Sequence, residues 1–360
     1  MQTIPIASPH LGQEEERAVI DVLRSGRLAQ GPKVEELEKQ FARFCGTKYA
    51  VACNSGTAAL HLALLSVGIS PGEEVITTPF SFVASSNCAL YCNAKPVFAD
   101  IEPKTYNINP TEIGGKVTAK TKSIIPVHLY GQPAAMDEIM EIANKKSVAV
   151  IEDACQAHGA EYKGNKVGSI GELGCFSFYP TKNMITAEGG MITTNNEELA
   201  EKMKIIRDQG QKPRYNYVML GFNMRMNEIQ AAIATEQLKK LEGFTEKRRS
   251  NAEFLTEELK DVKGITVPFV SKDVKHVYHQ YTLRIKNRDA VKASLALKGI
   301  GSETYYPTPI HKQPFYKSYH SLSFPVAETA AKEVLSLPVH PKVSNGDLNI
   351  IIESLKEAVK

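Results

Sequence analysis

From about residue 48 to residue 152 the chain alternates short β-rich runs with helical runs: YAVACNS, TAALHLALLSVG, EEVITTP, FVASSNCALYCNA and KPVFADI. The pattern resumes with KSIIPVHLYG, a helical stretch near MDEIMEIANKK, and VAVIEDA. Strands separated by helices need crossover connections, and crossovers lay the strands parallel with helices over both faces. The alternation therefore predicts an α/β fold on a mainly parallel sheet between helices. Two further strand-like runs, CFSFYP and GGMITT, flank TKNMITAEGG, and a helix is expected from about Asn196 to Arg207.

From Asn227 to about Lys260 apolar residues recur near i, i+3, i+4 and i+7, which predicts one long or bent helix joining two parts of the molecule. Beyond it, ITVPF, QYTLRIK and SETYYP read as strands interleaved with helices near Asp289 to Lys298 and Asp347 to Val359. These make a smaller α+β domain, completed by the N-terminal helices before residue 46. A chain of 360 residues exceeds one ordinary core. The expected division is a large domain over 1–240 and a small one over 241–360.

A net charge of +3, from 43 basic and 40 acidic side chains, gives no long-range field for nucleic acid or an acidic membrane. An anionic substrate must be held by local groups. The start MQTIPIASPHLGQEEERAV lacks a basic segment followed by an apolar one, and no later stretch offers about 18 uninterrupted apolar residues, so a cytoplasmic protein is expected. Cys45, Cys53, Cys88, Cys92, Cys155 and Cys175 form no CxxC pair or Cys/His ligand spacing. They read as reduced core thiols, with Cys88 and Cys92 on one buried helix face, and no metal site is expected.

Three local features carry chemistry. Asn54-Ser55-Gly56-Thr57 stands between a strand and a helix, where small residues let backbone N–H groups approach a phosphate; Ser and Thr there are equally ordinary helix caps. Glu152-Asp153 ends an apolar strand, on the edge where ligands of open α/β sheets bind. Asp153 would suit a pyridinium N–H, and would serve equally as a cap for a following helix. Lys182, enclosed in SFYPTKN, suits a desolvated amine able to attack a carbonyl, although most lysines are surface charges.

In this order the three features resemble the aspartate-aminotransferase fold, fold type I of the pyridoxal-phosphate enzymes. NSGTAAL, PVHLYGQPAAMDEI, VIEDACQAHGAEYKG, GCFSFYPTKN, EGGMITT, GFNMRMNEIQAAI and YYPTPIH are similar to motifs of the DegT/DnrJ/EryC1/StrS sugar aminotransferases, from ASPHLGQEEERAVIDVLRSGRLAQGP to LSLPVHP. The resemblance implies pyridoxal 5'-phosphate as cofactor, becoming pyridoxamine 5'-phosphate while it carries the amino group. It makes Lys182 the Schiff-base lysine and Asp153 the partner of the pyridine nitrogen. Gly56, Thr57 and Ser177 would hold the phosphate, Phe82 would stack on the ring, and Gln156 would face the phenolic oxygen.

Asn223 matches a position that reaches the phosphate of the neighbouring subunit, which implies a homodimer with shared sites. Arg225, Tyr306 and His311 fall where relatives contact the nucleotide sugar; His311 reads equally as a core or surface histidine. The implied reaction moves an amino group from an amino acid, L-glutamate, to a nucleotide-linked keto sugar for amino-sugar, lipopolysaccharide or polysaccharide synthesis. A branch of the family that removes a sugar hydroxyl carries histidine where Lys182 stands, so lysine argues against a dehydratase. The other readings are a decarboxylase, a small-amino-acid transaminase, or a non-catalytic regulatory member. One departure is Ala187, where TGEGG is common; its Cβ disfavours positive φ and should set that loop slightly differently.

Overall fold

A computed structural model describes residues 3–360. The first half carries helices α1 (Gln13–Ser25), α2 (Pro32–Cys45), α3 (Gly56–Ser66), α4 (Ala84–Tyr91), α5 (Pro110–Ile113), α6 (Met136–Lys146) and α7 (Glu197–Arg207). Its strands are β1 (Tyr49–Cys53), β2 (Glu74–Thr77), β3 (Lys95–Phe98), β4 (Thr121–Ile124), β5 (Ala149–Asp153), β6 (Glu161–Tyr162), β7 (Asn165–Lys166), β8 (Leu173–Ser177) and β9 (Gly190–Thr194). Seven of these form one sheet in the order β1-β9-β8-β5-β4-β2-β3. Only β9 runs against the rest, so the sheet is mainly parallel, as expected.

Burial explains the composition of the covering helices. α3 has apolar or small residues nearly all round, because one side lies on β1, β8 and β9 while α4 and α7 cover the other. Its Leu60, Leu62 and Leu64 are fully buried with Cys88, Ile125 and Ile151 in one core. α2 presents Val34, Leu37 and Phe41 to the opposite face, where Phe41 meets Phe176 and Phe178 edge-on at 5.0 and 5.7 Å. Cys88 and Cys92 are both buried free thiols.

The expected long helix is α8 (Glu228–Leu259), 32 residues, opened by a reciprocal cap between Asn227 and Gln230. Its first half packs Ala231, Ala234 and Leu241 into the large-domain core, and its second half packs Ala252, Leu255 and Leu259 into another. The proposed division between residues 240 and 241 thus falls inside α8. The second core belongs to a sheet of β10 (Ile265–Thr266), β12 (Tyr281–Ile285) and β13 (Val334–Leu337), with α9 (Arg288–Leu297) and α11 (Asn345–Ala358), while α10 (Pro325–Glu333) buries Ala327, Ala330 and Ala331 in a separate cluster with Phe98 and Tyr316. The short β11 (Val274–Lys275) pairs instead with the β6–β7 hairpin.

Two expectations change here. SETYYP is not a strand: Glu303 alone bridges Ser336, and the segment is held by side chains and ends at Pro307, which has no N–H to offer a ladder. The central small-sheet pairing goes instead to β13, from VLSL. The N-terminal helices do not complete the small domain, since α2 packs on β1 and α8 and α1 packs on α8. The segment ahead of them does, with Ile4 N–H donating to Gly299 at 2.9 Å and Gly301 N–H donating to Ile4 at 2.8 Å.

Candidate active site

Parallel strands that end together bring their following residues together, and register fixes which ones. Gly190 of β9 is paired on one side with Cys53 and on the other with Ser177, while Asp153 is opposite Cys175. The helix start after β1, the hydroxyl ending β8 and the carboxylate ending β5 therefore line one cavity of about 1090 Å³. Its walls also include Phe82, Gln156, Lys182, His279 and the segment Glu303 to Tyr306. A volume of this size admits a cofactor and a second ligand.

At the start of α3, Ser55 Oγ accepts from Ala58 N–H at 3.0 Å, which is the expected cap. The other N–H groups of the first turn have no acceptor within the helix, and helix geometry turns them outward with partial positive charge. Gly56 is required by close approach: a Cβ there would lie 2.5 Å from the Cβ of Ser177 and 3.1 Å from Cys155 Sγ. The cap and the anion cradle thus coexist, and Ser177 faces the same turn.

The tandem carboxylates at the end of β5 diverge. Glu152 is fully buried away from the cavity, accepting from the N–H groups of Gly168, Ile170 and Gly171 at 2.7–2.8 Å and from His128 Nε2 at 2.9 Å. His128 Nδ1 accepts from Ala134 N–H at 3.0 Å, so Nε2 carries the proton that Glu152 takes. Glu152 is a structural anchor for the turn before β8. Asp153 lines the cavity, only 4 % exposed, and is followed by a turn and not by a helix. Its Oδ1 accepts from Cys155 N–H at 3.2 Å and its Oδ2 from Ser85 Oγ at 2.7 Å. The helix-cap reading of Asp153 falls away.

Lys182 lies in the turn between β8 and β9, its N–H bonded to Tyr179 O at 2.9 Å. Desolvation holds its amine below the ordinary lysine range, with Cys155 and Asp153 pulling weakly the other way. Behind it sit two wholly desolvated imidazoles, His158, pushed down to about 3, and His279, driven well below the ordinary histidine range. Both are neutral, so neither adds a second cation beside the amine. Ala187 is exposed and has no positive φ, so it enters the following loop without strain.

Phe82 is 54 % exposed at the cavity wall, an unusual setting for a phenylalanine and one suited to a flat ligand. Gln156 is oriented by Tyr130 N–H, which donates to its Oε1 at 3.0 Å, and its Nε2 donates to Tyr306 Oη at 3.1 Å. Tyr130 Oη in turn donates to Tyr305 O, and Arg288 donates to Thr304 Oγ1 at 3.1 Å. The small-domain wall is thereby tied to the floor of the site.

The remaining three candidates are elsewhere. Asn223 is exposed and does not line this chain's own cavity, although its carbonyl accepts from Asn54 at 3.4 Å on the rim. Arg225 is paired with Asp208 outside that lining. His311 does not reach the cavity: its ring is 0 % exposed, bonded to Glu328 at 3.0 Å and packed edge-on against Phe324 at 4.8 Å. It is a core histidine, placed there because the 3₁₀ turn Ile310–Lys312 folds inward under α10. Sequence reasoning missed Ser85, Ser81, Glu188 and His279; only the serine-rich start of α4 beside Phe82 offered a signal.

A phosphorylated pyridine aldehyde fits these residues. The α3 turn with Ser177 would hold its phosphate, Phe82 its face, Gln156 its phenolic oxygen and Asp153 its ring nitrogen, with Lys182 for the aldehyde. Among the described residues no group of three or more His, Cys, Asp or Glu could hold a metal ion.

The family described as the DegT/DnrJ/EryC1/StrS aminotransferase family matches residues 9–356. A pleiotropic regulatory protein of Geobacillus stearothermophilus is 44 % identical over 95 % of this chain and 93 % of its own length. GDP-perosamine synthase of Caulobacter vibrioides is 39 % identical over 99 % and 98 %. The crystal structure of S. venezuelae DesV in complex with a ketimine intermediate superposes with a TM-score of 0.97 and 35 % identity, covering 100 % of this chain and 99 % of that one.

Proposed function

The chain belongs to the DegT/DnrJ/EryC1/StrS aminotransferase family and is a pyridoxal-phosphate-dependent sugar aminotransferase, and from that premise we propose that it moves the amino group of L-glutamate onto the keto carbon of a nucleotide-linked sugar. The observation that carries the reading is the desolvated amine of Lys182 and the buried carboxylate of Asp153 facing one cavity across from an anion-binding helix start. When bound, the cofactor supplies a sink for the electron pair left as a proton departs from the substrate.

The chain's own residues do the rest. A lowered pKa leaves a larger share of Lys182 neutral near pH 7, as a base must be that takes the proton at the substrate carbon bearing nitrogen and returns it to the carbon on the other side of that nitrogen. Asp153 holds a positive charge at the far end of the ring. The first turn of α3 and Ser177 would hold the cofactor's phosphate, opposite the end that Asp153 would hold. The wall from Glu303 to Tyr306, tied to Gln156 and Tyr130, closes the side where the sugar would enter and limits its approach.

We infer a homodimer with composite sites. Lys182 is the one lysine lining the cavity, and no arginine lines it among the described residues, while a nucleoside diphosphate and a dicarboxylate donor both bring several negative charges. Asn223 and Arg225 lie just outside this chain's cavity, where a second copy could use them. Six free thiols, five of them buried, suit a reducing cytoplasm. No helix among the described residues is long and apolar enough to cross a membrane.

Incubating the pure protein with L-glutamate and a panel of UDP-, dTDP- and GDP-linked 3-keto and 4-keto sugars tests the proposal. Mass spectrometry and NMR should find one aminated sugar and equimolar 2-oxoglutarate. A second reading rests on the 44 % identity to the pleiotropic regulatory protein: a role in which the fold binds cofactor and regulates. Retention of Lys182 and Asp153 favours catalysis. If glutamate fails to convert the bound cofactor to its amine form, as read by absorbance, the regulatory reading takes its place.

A further inference from the structure

We propose that Ser85, backed by Ser81, is a positioning residue that keeps Asp153 aimed at the cofactor's ring nitrogen, so that the proton stays on the ring. The inference rests on the reading of Asp153 given above and adds to it two residues that no motif supplied.

The geometry is a directed chain. Ser85 Oγ is 2.7 Å from Asp153 Oδ2, and Ser81 Oγ is 2.9 Å from Ser85 Oγ. An ionised carboxylate only accepts, so Ser85 donates to Asp153 and its own oxygen is left to accept from Ser81. Each donation polarises the next hydroxyl, which strengthens the bond to the carboxylate. All three side chains are buried, at 4 % exposure or less, and all line the cavity.

Asp153 has few other partners: Cys155 N–H donates to it at 3.2 Å, and the Cys155 thiol lies against it. The neighbouring thiols of Cys88, Cys155 and Cys175 are all raised well above the ordinary thiol range by burial and hold their protons. A buried carboxylate with so few donors is costly. The serine hydroxyl is therefore the strongest lateral support that Asp153 has. Removing it makes the carboxylate a better base, and the proton it shares with the ring nitrogen moves toward oxygen.

Local structure places the donor. Ser81 and Phe82 lie just ahead of α4 and Ser85 is in its first turn, where Ser85 N–H donates to Phe82 O at 3.1 Å. One turn thus presents the stacking ring to the cavity and the hydroxyl to the carboxylate. Any shift of Phe82 moves Ser85 with it.

The test uses the holoenzyme loaded with cofactor labelled with 15N in the ring. In the parent at neutral pH the 15N signal should stand at the protonated-pyridine value. In Ser85→Ala it should move part of the way to the unprotonated value, the rate of the glutamate half-reaction should fall roughly tenfold, about one pH unit's worth of proton affinity, and the KM for glutamate should hold. Ser85→Thr, which keeps the hydroxyl, should restore both readouts. Ser81→Ala should displace the signal in the same direction by less, and it carries the test if Ser85→Ala does not fold. The proposal is overturned if Ser85→Ala, or Ser81→Ala in its place, lowers the melting temperature yet leaves the 15N signal at the parent value while Asp153→Asn displaces it. If Asp153→Asn leaves it in place too, the assignment of Asp153 itself fails.

Discussion

Asp153 and Lys182 carry the chemistry through opposite responses to burial. The carboxylate finds donors in Ser85 and Cys155, whereas desolvation pushes the amine toward neutrality against the weaker opposing pull of Cys155 and Asp153. Asp153→Asn keeps the shape and the acceptor for Cys155 N–H but loses the charge. It should leave the protein folded and able to take up cofactor, yet slow the glutamate half-reaction on the order of 10², matching about 3 kcal/mol of barrier. A rapid-mixing rate within a few-fold of the parent would remove Asp153 from the catalytic residues. For Lys182 the linkage runs through its lowered pKa. The unfolded chain binds more protons than the fold between that lowered value and the ordinary 10.5, so apoprotein stability should rise with pH across the window. Lys182→Met removes that dependence. Its apoprotein should be more stable than the parent at neutral pH, with the gap closing as pH approaches 10.5. Urea denaturation at several pH values checks it, and parallel profiles would count against a desolvated amine.

At the scale of elements, the site depends on one helix start approaching one strand end. Gly56→Ala would press a Cβ to 2.5 Å from that of Ser177, so either α3 or β8 must shift. The cost should be about 1–3 kcal/mol in stability, with a larger proportional loss in cofactor affinity measured by fluorescence titration of the apoprotein. Unchanged affinity would show that the α3 turn does not grip the phosphate. The alternation that marks these elements was legible because period and length separate buried strands from buried helices: β1, β2, β3, β5 and β9 each lie inside a run read from sequence, while β8 begins two residues ahead of the run CFSFYP. Lys182, Asp153, Gly56, Thr57, Ser177, Phe82, Gln156 and Tyr306 all line one cavity, and of these Asp153, Ser177, Gly56 and Thr57 stand at strand ends or a helix start. What stayed hidden depends on distant partners. Nothing local distinguishes Glu152 from Asp153, since the three N–H groups that claim Glu152 arrive 16 to 19 residues later. His311 misled for the same reason: Glu328 and Phe324, which enclose it, lie on and just ahead of α10, a helix that the sequence pattern did not announce.

On the scale of the whole molecule, the cavity of one chain has too little positive charge for the ligands proposed for it. The segment from Gln209 to Asn223 offers a remedy in a second copy. It packs beside the α3 start through Asn54 and Met224, and it carries the exposed Tyr215, Tyr217 and Leu220, at 71, 62 and 83 %. Exposed apolar side chains in such density mark a surface that another protein covers. A two-fold arrangement that buried this loop would bring Asn223 of each subunit to the other's cofactor. Two variants separate the roles. Lys182→Ala should abolish activity in the chain that carries it. Asn223→Asp, which sets a negative charge against the phosphate, should instead weaken the site of the opposite chain. Mixed after unfolding and refolding together, the two inactive proteins should form hybrids in which one site carries both lesions and the other carries neither. About half of the dimers should be hybrids if pairing is random, and half of their sites should work, so activity should return to roughly a quarter of the parent's per site by simple two-fold symmetry. Native mass spectrometry verifies the exchange. Hybrids that form and remain inactive would mean that Asn223 serves its own chain or none, and the cations missing from the cavity would then have to come from the substrate's counterions or a different surface.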